Sequence, residues 1–321
     1  MLLRNQHPHN RSLLISVIGP PNVGKSTLIN SYMGMDFSIV TDRPQTTRQK
    51  FKCVSVVDRT ELIFVDTPGF HPTGQEFNKR MNGQAKESLP GADIGLLVVD
   101  MTSCPLKQIN VIKESLGRFR GKVWVVFNKM DVAREMMGGE GIRDLYEELK
   151  RLIPSLERFF VVSAKEDENL HELTGALLDE APGRPHRFPG GDISDKSERF
   201  FVGEYIRKEA FEGLYEEIPY ELAVQVDDFK WESKGEERSA HIGATILVNR
   251  PSQRAIVIGS KGSNIKRIGT NARKKIEEMI GARAHLNLHV KVVSKWFKNN
   301  KILESMGLFR VEDSKRVWRA R

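Results

Sequence analysis

At 321 residues the chain exceeds the usual size of one domain, so two domains of roughly 150 residues are expected. No apolar run reaches the ~18 residues that cross a bilayer, no apolar leader opens the chain, and the two cysteines, Cys53 and Cys104, have neither disulfide-framework nor metal-site spacing, which predicts an unprocessed, soluble, cytoplasmic protein. The net charge of +8 is uneven: Arg250 to Arg321 carries 18 Lys and Arg against 5 Asp and Glu, an excess that fits a polyanionic partner at one end of the chain.

Residues Met1 to Ser12 lack periodicity and read as a frayed terminus. Leu13 to Ile18 is a strand, and Gly19-Pro20-Pro21-Asn22-Val23-Gly24-Lys25-Ser26 leads from it into the helix Thr27-Leu28-Ile29-Asn30, which ends near Gly34. The pattern G-x-x-x-x-G-K-S lets backbone N–H groups curve round a chain of phosphates, helped by the positive end of the helix. Lys25 can lie along the β and γ phosphates, and the Ser26 hydroxyl can ligate Mg²⁺. Asp42 to Arg48 is a polar loop in which Thr46 or Thr47 can complete the metal shell when a γ-phosphate is present.

Phe51 to Asp58 and Leu62 to Val65 are strands, the second ending in Asp66-Thr67-Pro68-Gly69. There Asp66 can hold the metal and the Gly69 N–H can reach the γ-phosphate. Phe70 follows, where a glutamine would orient the attacking water and phenylalanine cannot. Gly95 to Asp100 is a strand. Leu106, Ile109, Ile112, Leu116 and Phe119 have the spacing of one covering helix. Val123 to Phe127 is a strand ending in Asn128-Lys129-Met130-Asp131. An Asp131 carboxylate can accept from the N1–H and N2 amine of guanine, a donor pair that adenine lacks, and Lys129 can lie over the base.

Ile142, Leu145, Leu149 and Ile153 form the next helix, and the strand Phe159 to Val162 ends in Ser163-Ala164-Lys165, where the Ala164 N–H can meet the guanine O6. The last helix of this half begins at Asn169, with Glu172 as a capping-box variant. Alternation of strands and helices predicts an α/β domain with a parallel-rich sheet covered on both faces and a ligand at the strand ends.

Pro182 to Asp192 is rich in Pro, Gly and Arg and reads as a linker. Beyond it come a helical stretch, Ser197 to Phe211, the strands Tyr220 to Phe229 and His241 to Asn249, and a glycine-hinged turn. In that turn Ile258-Gly259-Ser260-Lys261-Gly262 passes through Ile265, Lys266 and Arg267 into a helix bearing Ile268, Ile276 and Met279, followed by the strand Leu286 to Val293. A G-x-x-G turn between apolar flanks lets backbone approach single-stranded RNA, with Lys261 at phosphate and unstacked bases between Ile258 and Ile265. Trp296 and Phe297 read as core aromatics covering the final strand, and the tail to Arg321 is basic.

The motifs G-x-x-x-x-G-K-S, T-T, D-T-P-G, N-K-M-D and S-A-K in this order resemble those of translation-factor-class GTPases. G-P-P-N-V-G-K-S with P-Q-T-T-R is similar to the Era branch, and the second half resembles its KH domain. The resemblance covers nearly the whole chain. It implies a P-loop GTPase domain over 1–181, a linker over 182–194 and a type II KH domain over 195–321. It also implies GTP/GDP and Mg²⁺ as ligands, with Thr47 favoured over Thr46 at the metal, and Asn22 as a holder of K⁺. Implied partners are 16S rRNA near its 3′ end and the small ribosomal subunit, in a monomer that binds no DNA. Two rival readings remain: a P-loop ATPase gripping DNA, and a membrane-peripheral GTPase whose basic end meets anionic lipid.

Overall fold

The computed structural model describes residues 6–35, 37–41, 47–70, 76–110, 112–116, 119–134, 139–188, 190–234 and 237–307. It forms two units, Met1–Asp195 and Lys196–Arg321. Residues 42–46 of the polar loop, the expected Thr46 among them, and the basic tail from residue 308 onward lie outside the described residues.

The first unit runs β1 (Arg11–Ile18), α1 (Lys25–Met33), β2 (Phe51–Val57), β3 (Thr60–Asp66), α2 (Glu76–Glu87) and β4 (Ile94–Asp100). It continues through α3 (Pro105–Asn110), α4 (Lys113–Leu116), β5 (Lys122–Asn128), α5 (Met130–Ala133), α6 (Gly139–Leu152), β6 (Leu156–Val161) and α7 (Leu170–Glu180). The sheet order is β2-β3-β1-β4-β5-β6. Only β2 runs antiparallel to its neighbour; the other four pairings are parallel. A parallel strand is covered by helices on both faces, which is why β1 and β4 are apolar and buried nearly throughout. On one face Val99, Val125 and Phe127 pack in a cluster with Ile142, Leu145 and Leu149 of α6, whose spacing of three, four and seven puts them on one helical stripe. Because β1 neighbours both β3 and β4, the chain crosses in opposite directions at its C-terminal end, and the crevice for a ligand opens there.

Several local expectations are corrected. The single helix from Leu106 to Phe119 is two short ones: Ile112 N–H returns to the Ile109 carbonyl at 2.8 Å, a tighter three-residue turn that still buries Ile109, Ile112 and Leu116. No capping box forms at Asn169, which sits in the left-handed region at φ 59° and donates through Nδ2 to the Val161 carbonyl. The N-terminal residues are anchored from Gln6 onward, since Gln6 Nε2 donates to the His186 carbonyl and Asn10 Nδ2 to Gln6 Oε1.

The segment 182–194, expected as a linker, is bound to the first unit. Arg184 pairs with Asp93 at 2.8 Å, and the Arg187 and Phe188 N–H groups donate to the fully buried Glu61 carboxylate. Val54 N–H donates to the Ile193 carbonyl, and Ser194 bridges to Cys53, so the segment finishes the exposed edge of β2. Composition marked it as a turn-rich stretch, but backbone groups left open on an edge strand recruited it.

The second unit runs α8 (Glu198–Gly213), α9 (Ile218–Glu221), β7 (Ala223–Lys234), β8 (Glu237–Val248), α10 (Pro251–Ile258), α11 (Ser263–Ile280), β9 (Arg283–Val292) and α12 (Asn300–Ser305). Its sheet is β7-β8-β9, antiparallel then parallel. Alternate residues of β8, Ala240, Ile242, Ala244 and Ile246, are buried, and Ile268, Ala272 and Ile276 of α11 are buried at every fourth position. The strand expected from Tyr220 begins instead at Ala223, because Pro219 starts a helical turn there. Trp296 is a core aromatic, as expected: it is fully buried and its indole N–H donates to the Glu221 carbonyl at 2.7 Å.

Candidate functional site

The C-terminal ends of β1, β3 and β5 deliver Gly19, Asp66 and Asn128 to one end of the sheet. There a cavity of about 580 Å³ is lined by residues including Asn22, Lys25, Thr47, Asn128, Asp131 and Lys165. A larger cleft of about 1290 Å³ lies at the opposite strand ends, beside Leu13, Asp93 and Lys122, and holds none of the motif residues.

The phosphate loop turns on Gly24, at φ 93°, where a Cβ would meet Asn128 Nδ2 at 2.2 Å. Only glycine combines that backbone with so close a neighbour. Asn128 uses its amide twice: Nδ2 donates to the Val23 carbonyl at 2.8 Å, and Oδ1 accepts the Ala164 N–H at 2.9 Å. One side chain therefore ties the phosphate loop, the N-K-M-D turn and the S-A-K turn together. The Ala164 N–H expected at a guanine O6 is given to Asn128 in this arrangement. Ser163 Oγ donates to Asp131 Oδ1 at 2.7 Å and fixes that carboxylate at the cavity rim. Lys129, left-handed at φ 66°, pairs with Asp100 at 2.7 Å. Burial alone would raise the Asp100 carboxyl, but hydrogen bonds from Lys129 and Thr102 outweigh it and hold it below the usual carboxylate range.

Lys25 Nζ donates to the Pro20 and Gly19 carbonyls at 2.7 and 3.2 Å. Burial pushes its pKa down to about 8, against the pull of Asp66, and burial likewise pushes the Asp66 carboxyl up against the attraction of Lys25. Ser26 Oγ lies 3.0 Å from Thr47 Oγ1 and 3.1 Å from Asp66 Oδ2, and Thr47 Oγ1 lies 3.4 Å from that same oxygen. Neighbouring oxygens round an octahedral Mg²⁺ are about 2.9 Å apart, from Mg–O distances of about 2.05 Å, so this hard-oxygen triangle fits the ion. Among the described residues Asp66 Oδ1 is buried with no hydrogen-bond partner, which a cation or its water would satisfy.

The other expected residues divide by where their side chains go. Pro21 touches the D-T-P-G turn so closely that a Cβ on Gly69 would lie 2.7 Å from its nitrogen. Thr67 is buried and donates to the Val17 carbonyl, which positions the turn. The side chains of Phe70 and Met130 are buried in the cluster with Ile18, Leu97 and Val125, because each follows a strand end that turns back over the core. Sequence reasoning missed Ile39, Val40 and Thr41, which line the cavity without carrying a motif.

In the second unit, α10 ends at Ile258 and α11 starts at Ser263, with Gly259 at φ 76°, Lys261 at 51° and Gly262 at 78° between them. A Cβ on Gly259 would sit 2.8 Å from the Asn264 nitrogen, so the turn requires glycine. Asn264 Nδ2 donates to the Ile256 carbonyl at 2.8 Å and closes the hinge. Ser260, Lys261 and Lys266 are exposed and Ile258 and Ile265 half-buried, an apolar floor with polar edges. Ile256, unremarked in the sequence, adds a 48 % exposed apolar side chain beside them. The Arg267 guanidinium lies over Gly213 of α8, where a Cβ would meet Nη2 at 1.3 Å, and Nη2 is buried.

Comparison with known proteins matches the family model described as 50S ribosome-binding GTPase over residues 14–129 and that of the KH domain over residues 217–297. GTPase Era of Geobacter sp. strain M21 is 37% identical over 302 residues, 92% of this chain and 97% of that protein. The solved structure of Era in complex with MgGDPNP and nucleotides 1506–1542 of 16S ribosomal RNA aligns with a TM-score of 0.85 at 29% identity, covering 94% of this chain and all of the other. A variant Era from Aquifex aeolicus bound to GDP and AlF4⁻ aligns equally well, at 0.85 and 29%. Fold and site thus define a P-loop GTPase domain followed by a KH domain. Its relatives share that order of domains across nearly the full length, and the chain belongs to the GTPase Era family.

Proposed function

We propose that this chain is a GTP-hydrolysing switch that binds 16S rRNA near its 3′ end through the glycine-hinged cleft and assists assembly of the small ribosomal subunit, as a monomer in the cytoplasm. The observation that carries the reading is the convergence of Ser26, Thr47 and Asp66 within 3.0–3.4 Å beside Lys25. Those three residues would hold Mg²⁺, which when bound neutralises charge between the β and γ phosphates. Lys25 supplies a further positive charge, the Gly69 N–H approaches the γ-phosphate, and Asp131 reads the base. Phe70, turned into the core, offers no side chain to orient water, so intrinsic turnover is slow.

Asn22 lines the same cavity in the left-handed region at φ 62°, in line with its role as a K⁺ holder that supplies charge next to the phosphates. Equal hydrolysis in K⁺ and Na⁺ would remove that role. The RNA reading draws on the family, on the exposed Lys261 and Lys266 and on the basic end of the chain. The lipid reading rests on the tail beyond residue 307; among the described residues no helix is long and apolar enough to cross a membrane. The experiment is to follow GTP and ATP hydrolysis with and without the 3′ terminal segment of 16S rRNA. Preference for GTP and tight, GTP-dependent RNA binding are expected; equal use of ATP, or no RNA binding, would overturn the reading.

A further inference from the structure

Among the described residues, the KH sheet presents exposed side chains on the face opposite the buried positions Ala240, Ile242, Ala244 and Ile246 of β8. Five cross-strand pairs share it: Lys230 with His241 and Asp228 with Gly243 between β7 and β8, and His241 with His285, Gly243 with Asn287 and Thr245 with His289 between β8 and β9. Along β9 every second residue, Arg283, His285, Asn287, His289 and Lys291, is exposed, and none is acidic. Alternate positions on a strand recur at about 6.6 Å, so the row is a ladder of donors and cations. The His241 and His285 rings stack at 4.6 Å and 24°, and the imidazole of His241 is 47% exposed. Next to them Gly243 contributes no side chain, and a hollow of about 440 Å³ lies among Lys230, His241, His285, Asn287 and Asp228, with Arg273 of α11 adding a further cation to its lining.

The carboxylates on this face are engaged locally. Glu232 pairs with His241 Nε2 at 2.8 Å, and Asp227 accepts from Thr245 at 2.7 Å, so the β9 side keeps its positive character. Asp228 alone borders the hollow, where it can accept from a base amine while the Asn287 amide offers both donor and acceptor. The helix that leads into the glycine hinge meets the same strand, since Arg254 Nε of α10 donates to the Val290 carbonyl of β9 at 3.2 Å.

We propose that this open face is a second seat for the RNA, with phosphates along Arg283 to Lys291 and one unpaired base in the Gly243 hollow against the His241–His285 platform. The proposal rests on the RNA reading above. A strand of RNA leaving the cleft passes the edge of β9 and continues onto this face, where stacking on histidine and contact with cations add affinity without demanding one sequence.

The test uses the full chain and mixed-sequence, unstructured ribo-oligonucleotides of about 6 and about 30 nucleotides, the shorter filling a cleft that clamps about four. His285→Ala should weaken the long oligonucleotide about tenfold and leave the short one unchanged. Arg283→Ala with Lys291→Ala should lower the slope of log K against log salt for the long one by about 1.4, the release expected from two phosphates. Gly262→Asp, in the cleft, should weaken both. If the face variants bind the long oligonucleotide as wild type does while Gly262→Asp fails, the second seat is wrong and the RNA reading stands. If the wild type binds neither, both fall. Loss of a ribosomal protein contact with unchanged RNA affinity would identify the face as a protein surface and overturn the proposal.

Discussion

Asn128 Nδ2 donates to the carbonyl of Val23 at 2.8 Å, and this one bond joins the N-K-M-D turn to the phosphate loop. Asn128→Ala removes it together with the acceptor for the Ala164 N–H and leaves two buried backbone groups unpaired. Each such group costs about 1–3 kcal/mol, so the variant should lose GTP and GDP affinity alike by at least tenfold. Isothermal titration with both nucleotides measures this, and a loss confined to GTP would contradict it.

Thr47 is expected to behave differently, because its hydroxyl lies with Ser26 Oγ and Asp66 Oδ2, the oxygens proposed to hold the metal. Thr47→Ala should reduce affinity for a non-hydrolysable GTP analogue about tenfold and leave GDP binding unchanged, since only the triphosphate state engages this loop. Comparing the two dissociation constants tests the assignment of the metal threonine.

The loop that carries Thr47 is fastened to α2. Lys50 N–H donates to Gln84 Oε1 at 2.7 Å, Lys50 Nζ pairs with Glu87 at 3.0 Å, and the Arg48 guanidinium lies 5.3 Å from the Phe77 ring centroid. Gln84→Ala leaves a part-buried N–H without its acceptor and should cost about 1 kcal/mol of stability. Amide exchange should quicken at Lys50 and along α2 together; exchange confined to one of them would show that they move independently.

Lys25 gives a pH signature. Its pKa in the folded, nucleotide-free protein is about 8, below the unfolded value near 10.5, so burial of the charged amine costs stability at lower pH. The unfolded chain holds the proton between those values while the folded one releases it, so stability rises as pH climbs from about 8 toward 10.5. The gain is at most about 3 kcal/mol. Urea midpoints at pH 7.5 and 9.5 should differ by more in the wild type than in Lys25→Met.

Trp296 tests the core of the second unit. Trp296→Ala removes a fully buried indole and strands the Glu221 carbonyl, at a cost of about 3–5 kcal/mol, whereas Trp296→Phe keeps most of the packing and should cost much less. GTP hydrolysis without RNA should be unchanged in both, and two-step thermal unfolding should show only the KH transition lowered.

The phosphate loop, D-T-P-G and N-K-M-D turns were legible in the sequence because their chemistry sits in contiguous residues at strand ends. Residues whose roles depend on distant neighbours were not. Phe70 follows one motif and Met130 stands inside another, yet both side chains serve the core; Arg267 stands beside the glycine hinge, yet its guanidinium lies over Gly213 of α8; and Asn169 has capping chemistry but bonds back to Val161. The segment 182–194 has linker composition, and its attachment depends on Glu61 and the free edge of β2, more than a hundred residues earlier. Periodicity also extended one helix across Asn110, because it reports which residues are buried and not whether the backbone between them stays helical.

The most direct measurement of the guanine-reading pocket is hydrolysis of GTP and xanthosine triphosphate by the wild type and by Asp131→Asn. The wild type should prefer GTP and the variant should reverse that preference, because an amide at this position accepts where xanthine donates and donates where xanthine accepts. A variant that keeps the wild-type preference would contradict the assignment of Asp131, and with it the account of a guanine switch.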